Sequence, residues 1–330
     1  MPRLRVPRLP QLLDRKIYKS GQTRGADDDE VYQNRVGRTS TVLIPYHFWN
    51  EDTRRRVENG FFESGYIVLL KPEEFASMDN PETELRSTGL TIGRNCLVFY
   101  ETRTQWNTLN PNNFGWIPAQ QRVMPLGGQF VARVPATTAI ANGAKINLGF
   151  TATAMKGAGI RQYEYATAET VKNCRIQLEA EYWLCYDSID AAVDFGMSFD
   201  DAMTRKEYAL QLAQDRDLLD FDKLIGARIL NENHETVCPL CLKRLSGFGF
   251  FNRLAQAEGR EVPDLTVTEI NLFHIQELRY CEYNHRPYNL GWGHHHCNVV
   301  VKDSGIMPTL QWMKRIIKRN EDLGTEIQLI

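Results

Sequence analysis

The stretch that decides the fold of this chain's C-terminal part reads Cys238-Pro-Leu-Cys241, then His274-Ile275, then Asn289-Leu-Gly-Trp-Gly-His294-His-His-Cys297-Asn298. Four of the seven cysteines and five of the seven histidines fall within these roughly sixty residues. Folding alone does not concentrate metal-seeking side chains in this way. The segment therefore predicts a metal centre, and the rest of the chain is interpreted around it.

Two pairs of candidate ligands have the spacing of a structural zinc site. Cys238 and Cys241 form a Cys-x-x-Cys pair, which places two sulfurs on one tight turn. His294 and Cys297 supply a second pair from the start of a predicted helix, which gives a closed Cys₃His site for Zn²⁺. The alternative is that Cys238 and Cys241 are ordinary buried cysteines. Nearby residues could also replace one of the four ligands, namely Cys281, His285, His295 and His296.

A second pattern, His274, Asn289 and Asn298, suits the hydrolysis of a phosphodiester. That reaction needs a base to deprotonate water and a cation to neutralise the phosphate and the leaving oxygen. A histidine at a strand end can act as the base, and a carboxamide oxygen can hold a hard cation. Each residue also has an ordinary interpretation: His274 as a structural histidine, Asn298 as a helix cap and Asn289 as a turn residue.

The order of these residues is similar to that of HNH (ββα-metal) endonucleases, over roughly residues 238 to 303. The resemblance implies a β-hairpin packed on one helix, with His274 as the general base. It also implies that Asn298 ligates a catalytic Mg²⁺ and that Asn289 holds the loop that orients His274. The expected products carry 5′-phosphate and 3′-hydroxyl ends.

One position departs from the HNH pattern. The family usually has a second metal ligand just before the catalytic histidine, and here that position is Phe273. Either a nearby acid replaces that ligand, or one protein ligand suffices, or this copy is inactive. The nearest acids are Glu277, Glu269 and Asp264.

Length and composition indicate a folded, water-soluble chain. The 330 residues suggest roughly two domains, and 42% hydrophobic residues allow sizeable cores. No apolar run of transmembrane length occurs and the N-terminus lacks a signal-peptide core, so we expect a cytoplasmic protein with no membrane partner. The formal net charge of −2 neither indicates nor excludes nucleic acid.

The chain divides by pattern near residue 231, and the predicted fold class is α+β. Residues 1–230 are expected to form a larger mixed α/β region for DNA recognition and dimerisation, with strands at 41–45, 66–70 and 96–100 and helices from Ser198. The stretch 175–184 fits either a strand or a helix. Residues 231–330 are expected to form the zinc-bound nuclease domain. Its predicted elements are strands at 265–272 and 288–292, a helix from about His295 and a basic last helix opened by Pro308.

The residues upstream of the metal segment are expected to recognise DNA. Side chains that read base edges are mostly Arg, Lys, Asn and Gln, and residues 21–38 are rich in them. A solvated surface is the ordinary alternative for each. The candidate DNA-binding residues are Arg24, Gln33, Asn34, Arg35, Arg38 and Lys302.

Other nuclease and motor chemistries lack their motifs. No Glu-x-Lys occurs, and Asp14-Arg-Lys16 has no acid before it, which argues against a PD-(D/E)xK core. No Gly-x-x-x-x-Gly-Lys-Ser/Thr loop exists, so no ATP-driven translocation is expected.

An HNH unit with a larger partner region and no motor resembles a type II restriction endonuclease, and among these the BstXI-like enzymes. That resemblance implies sequence-specific cleavage of double-stranded DNA by a homodimer, because one site cuts one strand. Two alternatives remain. One is an HNH homing or nicking endonuclease, and the other is a non-catalytic, zinc-dependent DNA-binding protein.

Overall fold

The computed structural model describes residues 6–23, 31, 36–137, 143–150, 158–253, 268–302 and 304–323. Its chain forms two compact units. Unit 1 comprises residues 1–21, 169–279 and 284–330, and unit 2 comprises residues 22–168 and 280–283. The fold is mixed α+β, as the sequence predicted.

Unit 2 is built on a six-stranded sheet. The strands are β1 (Val42–Pro45), β2 (Tyr66–Leu70), β3 (Cys96–Tyr100), β4 (Phe130–Val134), β5 (Ile146–Leu148) and β6 (Ile160–Arg161). Their order is β5-β4-β3-β2-β1-β6, and only β5 runs antiparallel to its neighbour. The predicted strands at 41–45, 66–70 and 96–100 are confirmed as β1, β2 and β3. They are continuous apolar runs because a parallel sheet is covered on both faces.

Short helices connect the strands of this sheet: α2 (Glu51–Glu58), α3 (Pro72–Ala76), α4 (Pro81–Ser87) and α5 (Arg103–Thr108). Local sequence explains where they start. The Asn50 side chain accepts a hydrogen bond from Thr53 N at 2.9 Å, and Thr102 caps α5 in a capping box with Gln105. The capping side chains of Asn50 and Thr102 therefore fix where α2 and α5 begin.

A four-residue segment, Tyr280–Tyr283, completes unit 2 although it follows β7 in sequence. Tyr280 stacks on Phe48 with ring centroids 4.3 Å apart. The Tyr283 hydroxyl accepts from Gln162 Nε2 at 2.7 Å, and its ring contacts Phe61.

Unit 1 is largely helical around one apolar core. Its helices are α1 (Gln11–Lys19), α6 (Ala168–Trp183), α7 (Ser188–Asp194), α8 (Phe199–Gln214), α9 (Phe221–Gly226), α10 (His295–Val301) and α11 (Ile306–Asp322). Of the ambiguous stretch 175–184, residues 175–183 are helical within α6, where Leu178 and Trp183 are fully buried. The predicted cap at Ser198 is confirmed, since its Oγ accepts from Asp201 N at 3.1 Å.

The C-terminal hairpin of unit 1 pairs β7 (Ile270–His274) with β8 (Leu290–His294). The strands are antiparallel, with Ile270 opposite His294 and His274 opposite Leu290. The predicted strand over 265–272, with its end at His274, is confirmed where it is described, since β7 ends at His274; residues 265–267 lie outside the described residues. The strand predicted at 288–292 is shifted two residues toward the C-terminus. The helix predicted from about His295 begins there, and the last helix begins at Ile306, two residues before Pro308.

The two units do not follow the sequence boundary near 231. Helices α6 to α9 lie in the same unit as the hairpin β7–β8. The physical reason is a shared core, in which Leu178 and Tyr182 of α6 belong to the same buried cluster as Leu290 and Trp292 of β8. The assignment of 1–230 to recognition and dimerisation and of 231–330 to catalysis is a functional division, which this packing does not test.

Across the described residues, no helix is both long enough and apolar enough to cross a membrane.

Candidate functional site

Four side chains converge in unit 1: Cys238, Cys241, His294 and Cys297. One ligand atom from each lies within 4.8 Å of the others, and Cys241 Sγ is 3.3 Å from His294 Nδ1. These are the four residues that the sequence spacing predicted. A Cys₃His cluster of this size could hold a metal ion such as zinc.

Local backbone geometry explains why the cysteine pair is presented on one turn. Cys238 N donates to the Lys243 carbonyl at 2.9 Å, and Leu242 N donates to the Cys238 carbonyl at 2.8 Å. Leu242 adopts a left-handed conformation with φ of 58°. These contacts close a tight knuckle, residues 238–243, and both sulfurs lie on it.

The second ligand pair comes from the junction between a strand and a helix. His294 is the last residue of β8, and Cys297 lies in the first turn of α10. Zn–S and Zn–N bonds near 2.3 and 2.0 Å place tetrahedral ligand atoms roughly 3.5 to 3.8 Å apart. The observed spread therefore needs shifts of at most about 1 Å to surround an ion. The donor set fits zinc in both chemistry and spacing.

Burial and neighbouring groups shift the pKa values of three residues in the cluster. Burial raises the pKa of the Cys238 thiol. Burial raises the pKa of Cys297 above its usual range as well, and the neighbouring Cys238 and Cys241 add to the effect. Burial lowers the pKa of His294, helped by the charges of His296 and Lys243. A divalent cation would reverse the thiol shifts, because the thiolate is the zinc-binding form.

The other residues weighed as ligands have different contacts. His285 Nδ1 lies 3.2 Å from His274 Nε2, and His295 Nδ1 lies 3.0 Å from Asn271 Nδ2. Cys281 belongs to unit 2. His296 is exposed and stacks on His294. These four residues are close to the Cys₃His cluster in sequence, but none of them belongs to it.

His274 ends β7 and is half-buried, beside the fully buried His285. The ring centroids are 5.4 Å apart. At 3.2 Å between His274 Nε2 and His285 Nδ1, one imidazole donates and the other accepts. Sequence reasoning considered His285 only as a substitute zinc ligand and missed this pairing. Its only signal was a second histidine eleven residues downstream in the same loop.

Asn289 is buried and bound on both ends of its carboxamide. Its Oδ1 accepts from Gln276 N at 2.7 Å, and its Nδ2 donates to the Asn284 carbonyl at 2.7 Å. Gln276 follows His274 by two residues. The side chain of Asn289 therefore ties together both ends of the loop that connects β7 to β8.

Asn298 lies inside α10 and does not cap it, because the N-cap position is His294. Its Nδ2 donates to the Leu272 carbonyl at 3.1 Å. Leu272 and His274 point to the same face of β7, since side chains alternate along a strand. The helix α10 is thus fastened to the strand that ends in His274, two residues from that histidine.

Phe273, the residue before His274, is part of the apolar core of unit 1. Phe273 is fully buried, and its ring occupies the space beside Gly293, where an added Cβ would lie 2.5 Å from Phe273 Cδ2. Of the acids weighed as replacements, Glu277 Oε2 accepts from Arg279 Nε at 2.7 Å, and Glu269 is exposed. Asp264 lies outside the described residues.

The residues predicted to contact DNA fall into two groups. Arg24, Gln33, Asn34 and Arg35 lie outside the described residues. Arg38 is buried and donates to the Glu164 carbonyl at 2.9 Å, which fixes part of its guanidinium inside unit 2. Lys302 is exposed at the end of α10, with φ of 49°.

Comparison with known proteins adds one decisive observation. Residues 15–295 match the family model described as BstXI restriction endonuclease, which is well over half of the chain. The chain belongs to the BstXI restriction endonuclease family. No curated protein matches the chain, and no solved structure matches it.

Membership of the BstXI restriction endonuclease family makes this protein a nuclease with DNA as its substrate. The match covers the knuckle cysteines and the hairpin that carries His274 and Asn289. It ends at His295, so Cys297, Asn298 and the whole of α11 lie beyond it.

Proposed function

We propose that this protein is a sequence-specific type II restriction endonuclease whose segment β7–β8–α10 is a zinc-braced HNH unit. The observation that supports this best is the position of His274 at the end of β7, with α10 fastened to the same strand through Asn298. This is the strand-and-helix arrangement that the HNH resemblance implies. Family membership supplies the DNA substrate.

His274 acts as the general base, and its pairing with His285 selects the nitrogen. A base needs a lone pair, so His274 must be the donor in the contact between its Nε2 and His285 Nδ1. In that tautomer the lone pair is on His274 Nδ1. This atom takes the proton from water, the water oxygen bonds to phosphorus, and the bond from phosphorus to the 3′ oxygen breaks. The products are a 5′-phosphate and, after protonation, a 3′-hydroxyl.

Asn298 would hold the catalytic Mg²⁺, which would supply neutralising charge at the phosphate. Its Nδ2 is used by the Leu272 carbonyl, so the carboxamide oxygen is the atom suited to a hard cation. Phe273 supplies no second ligand. One protein ligand is compatible with Mg²⁺, which usually keeps several waters and shares substrate phosphates.

Asn289 and the zinc cluster act by positioning. Asn289 holds the chain at Gln276, two residues beyond His274, and so limits the movement of the base. A zinc ion held by the Cys₃His cluster would tie the knuckle to the junction of β8 and α10. Both contributions fix His274 and Asn298 relative to each other without touching the reacting atoms.

Recognition and assembly complete the proposal. The segment containing Arg24, Gln33, Asn34 and Arg35 reads bases, and Lys302 contacts the DNA backbone near the HNH unit, whereas the buried Arg38 serves the packing of unit 2. A homodimer acts on a two-fold-related site, because each HNH unit cuts one strand.

The test is cleavage of phage DNA of known sequence, with and without Mg²⁺, by the parent and by His274→Ala. The parent is expected to give a discrete fragment pattern only with Mg²⁺. Removal of the base is expected to slow cleavage by about 10²- to 10⁴-fold. A matched control is His234→Ala, since His234 is an exposed histidine in a turn outside the hairpin.

The outcomes separate the proposed function from its alternatives. A His274→Ala variant that cuts at the parental rate would overturn the mechanism. Intact DNA with every divalent ion, together with retained specific binding, would favour the zinc-dependent DNA-binding protein, which the position of Phe273 motivates. As a second variant, His285→Ala is expected to lose less activity than His274→Ala, since it releases the base without removing it.

A further inference from the structure

The last helix, α11, begins beside the candidate base. Ile306 N donates to the Ile275 carbonyl at 3.0 Å, and Ile275 follows His274 directly. Ile306 and Thr309 are buried, and Thr309 Oγ1 donates to the Gly305 carbonyl at 2.7 Å. The first turn of α11 is therefore fixed at the end of the strand that carries His274.

The two faces of α11 differ in character. Its inner face packs on the core of unit 1 through Ile306, Leu310 and Met313. Its outer face is exposed and carries four cations, Lys314, Arg315, Lys318 and Arg319. The first and third of these, and likewise the second and fourth, are four residues apart. The cations therefore lie on one side of the helix, one turn from each other.

This outer face carries few acids to compensate its cations. Within the described part of the chain, the four cations make no ion pair. The only acids of α11 are Glu321 and Asp322, at its end. Exposed helices elsewhere in the chain pair opposite charges, as with Arg55 and Glu51. In a chain of formal net charge −2, such a cluster is a local exception.

We propose that the outer face of α11, defined by these four cations, binds backbone phosphates of DNA next to the scissile bond. With a rise of 1.5 Å per residue, Lys314 lies about 12 Å and Arg319 about 20 Å from the fixed first turn. Phosphates of one strand are spaced about 3.4 Å along the duplex axis, so this span faces two or three of them. The proposal rests on the proposed function, because it takes His274 as the cutting site.

A second copy of the chain is the other occupant that the exposed apolar residues of α11 allow, and it serves as an outcome of the test. Met307, Trp312 and Ile317 are exposed on α11, at 59%, 49% and 43% of their surface. A second copy of the chain could cover them. The four cations favour DNA, because two identical basic faces would repel each other across a two-fold axis.

The experiment compares two triple variants with equal charge change. The first is Lys314→Ala/Arg315→Ala/Lys318→Ala, and alanine preserves the helix. The control is Arg55→Ala/Arg86→Ala/Lys223→Ala, three exposed helical cations that are each paired with an acid. Binding to a cognate and a non-cognate duplex is measured by fluorescence anisotropy over a salt series without divalent ions.

For the α11 variant, the slope of log K against log salt is expected to become shallower by about 2 to 3, since each lost phosphate contact contributes about 0.9. The change should be equal for both duplexes, because phosphates carry no sequence information. The control should keep the parental slope. A parental slope in the α11 variant, a loss confined to the cognate duplex, or a loss of self-association in sedimentation without a change in slope would each overturn the proposal.

This result is separable from the proposed catalysis. A parental slope in the α11 variant, with cleavage that depends on His274, would reject the phosphate-binding face alone. A reduced slope alongside full activity of His274→Ala would leave DNA binding by α11 standing. It would reject the catalytic assignment, and with it the placement of this face next to the scissile bond.

Discussion

Glu181 is a residue of α6 whose carboxyl group is enclosed in unit 1 and lies beside the hairpin. It is fully buried, and burial raises its pKa to about 8. Its Oε1 accepts from Gln177 Nε2 at 2.6 Å, and Gln177 Oε1 accepts from Tyr288 N at 2.9 Å. The carboxyl lies beside Gly291 of β8, where an added Cβ would be 3.5 Å from Glu181 Oε2. These buried polar groups hold α6 against β8.

The raised pKa of Glu181 predicts a pH-dependent loss of stability. An unfolded chain ionises this group above about 4.5, whereas the folded chain keeps the proton until pH is about 8. The protonated carboxyl therefore contributes its full stabilisation below pH 4.5. As the pH rises from 4.5 to 8, the free energy of unfolding falls by up to about 1.4 kcal/mol per pH unit. Glu181→Gln should flatten this fall. Parallel urea-unfolding profiles of parent and variant between pH 5.5 and 8 would contradict it.

Phe273 serves packing at the position where the HNH resemblance implies a metal ligand. Its ring fills the space above Gly293, and any side chain there would collide with it. The pair Phe273 and Gly293 thus forms one packing unit in the hairpin. A carboxylate at position 273 would be buried in an apolar cluster without a cation to pair with, at a cost of several kcal/mol.

At the level of elements, the Cys₃His cluster brings together the knuckle 238–243 and the junction of β8 and α10, which also share the apolar core of unit 1. The knuckle 238–243 is a short turn, and β7 and β8 form an isolated two-stranded sheet. Such a hairpin is marginal in water without further support. A tetrahedral ion bound to both pieces would add to the support that the core of unit 1 gives.

Cys238→Ser is therefore expected to lose most of the bound zinc and to destabilise unit 1. We expect a loss on the order of 3 kcal/mol, which lowers the melting temperature by about 10 °C for a unit of this size. Zinc per chain and thermal unfolding, with and without a chelator, measure both effects. Cys281→Ser is the matched control, as Cys281 lies outside the cluster. A Cys238→Ser protein as stable and zinc-rich as the parent would refute the assignment.

Elements with a strong local pattern could be predicted from sequence. The apolar runs of β1, β2 and β3 and the start of α10 at His295 match the structure. Strand β8 lies two residues beyond the predicted strand, because Gly291 and Gly293 remove the alternating side chains that mark a strand. The stretch 175–184 was undecidable, since buried polar residues such as Gln177 and Glu181 interrupt the helical apolar period.

At the level of the whole molecule, a formal charge of −2 means that DNA affinity must come from localised cations. The outer face of α11 is one such concentration in the described residues. The rest of the surface can remain acidic without weakening a bound complex, because screening limits repulsion to about 8 Å at physiological salt.

The proposed dimer makes a prediction for the intact protein on DNA. In sedimentation, the protein bound to its site should add twice the chain mass of 38.0 kDa to that of the duplex. A supercoiled plasmid with one site should become linear without a lasting nicked intermediate. A monomer that leaves nicked circles would instead favour the homing or nicking alternative.

The sequence by itself determined which four residues form the Cys₃His cluster, the main strands of unit 2 and the general mixed fold. These depend on spacing and on local apolar periodicity, which are complete within a few residues. Only the tertiary structure decided that His285 lies beside His274, that Phe273 belongs to the core, and that α11 starts next to the candidate base. The physical reason is that each of these contacts depends on how a loop closes or on which face a strand buries. Both are settled by packing against residues far away in the chain.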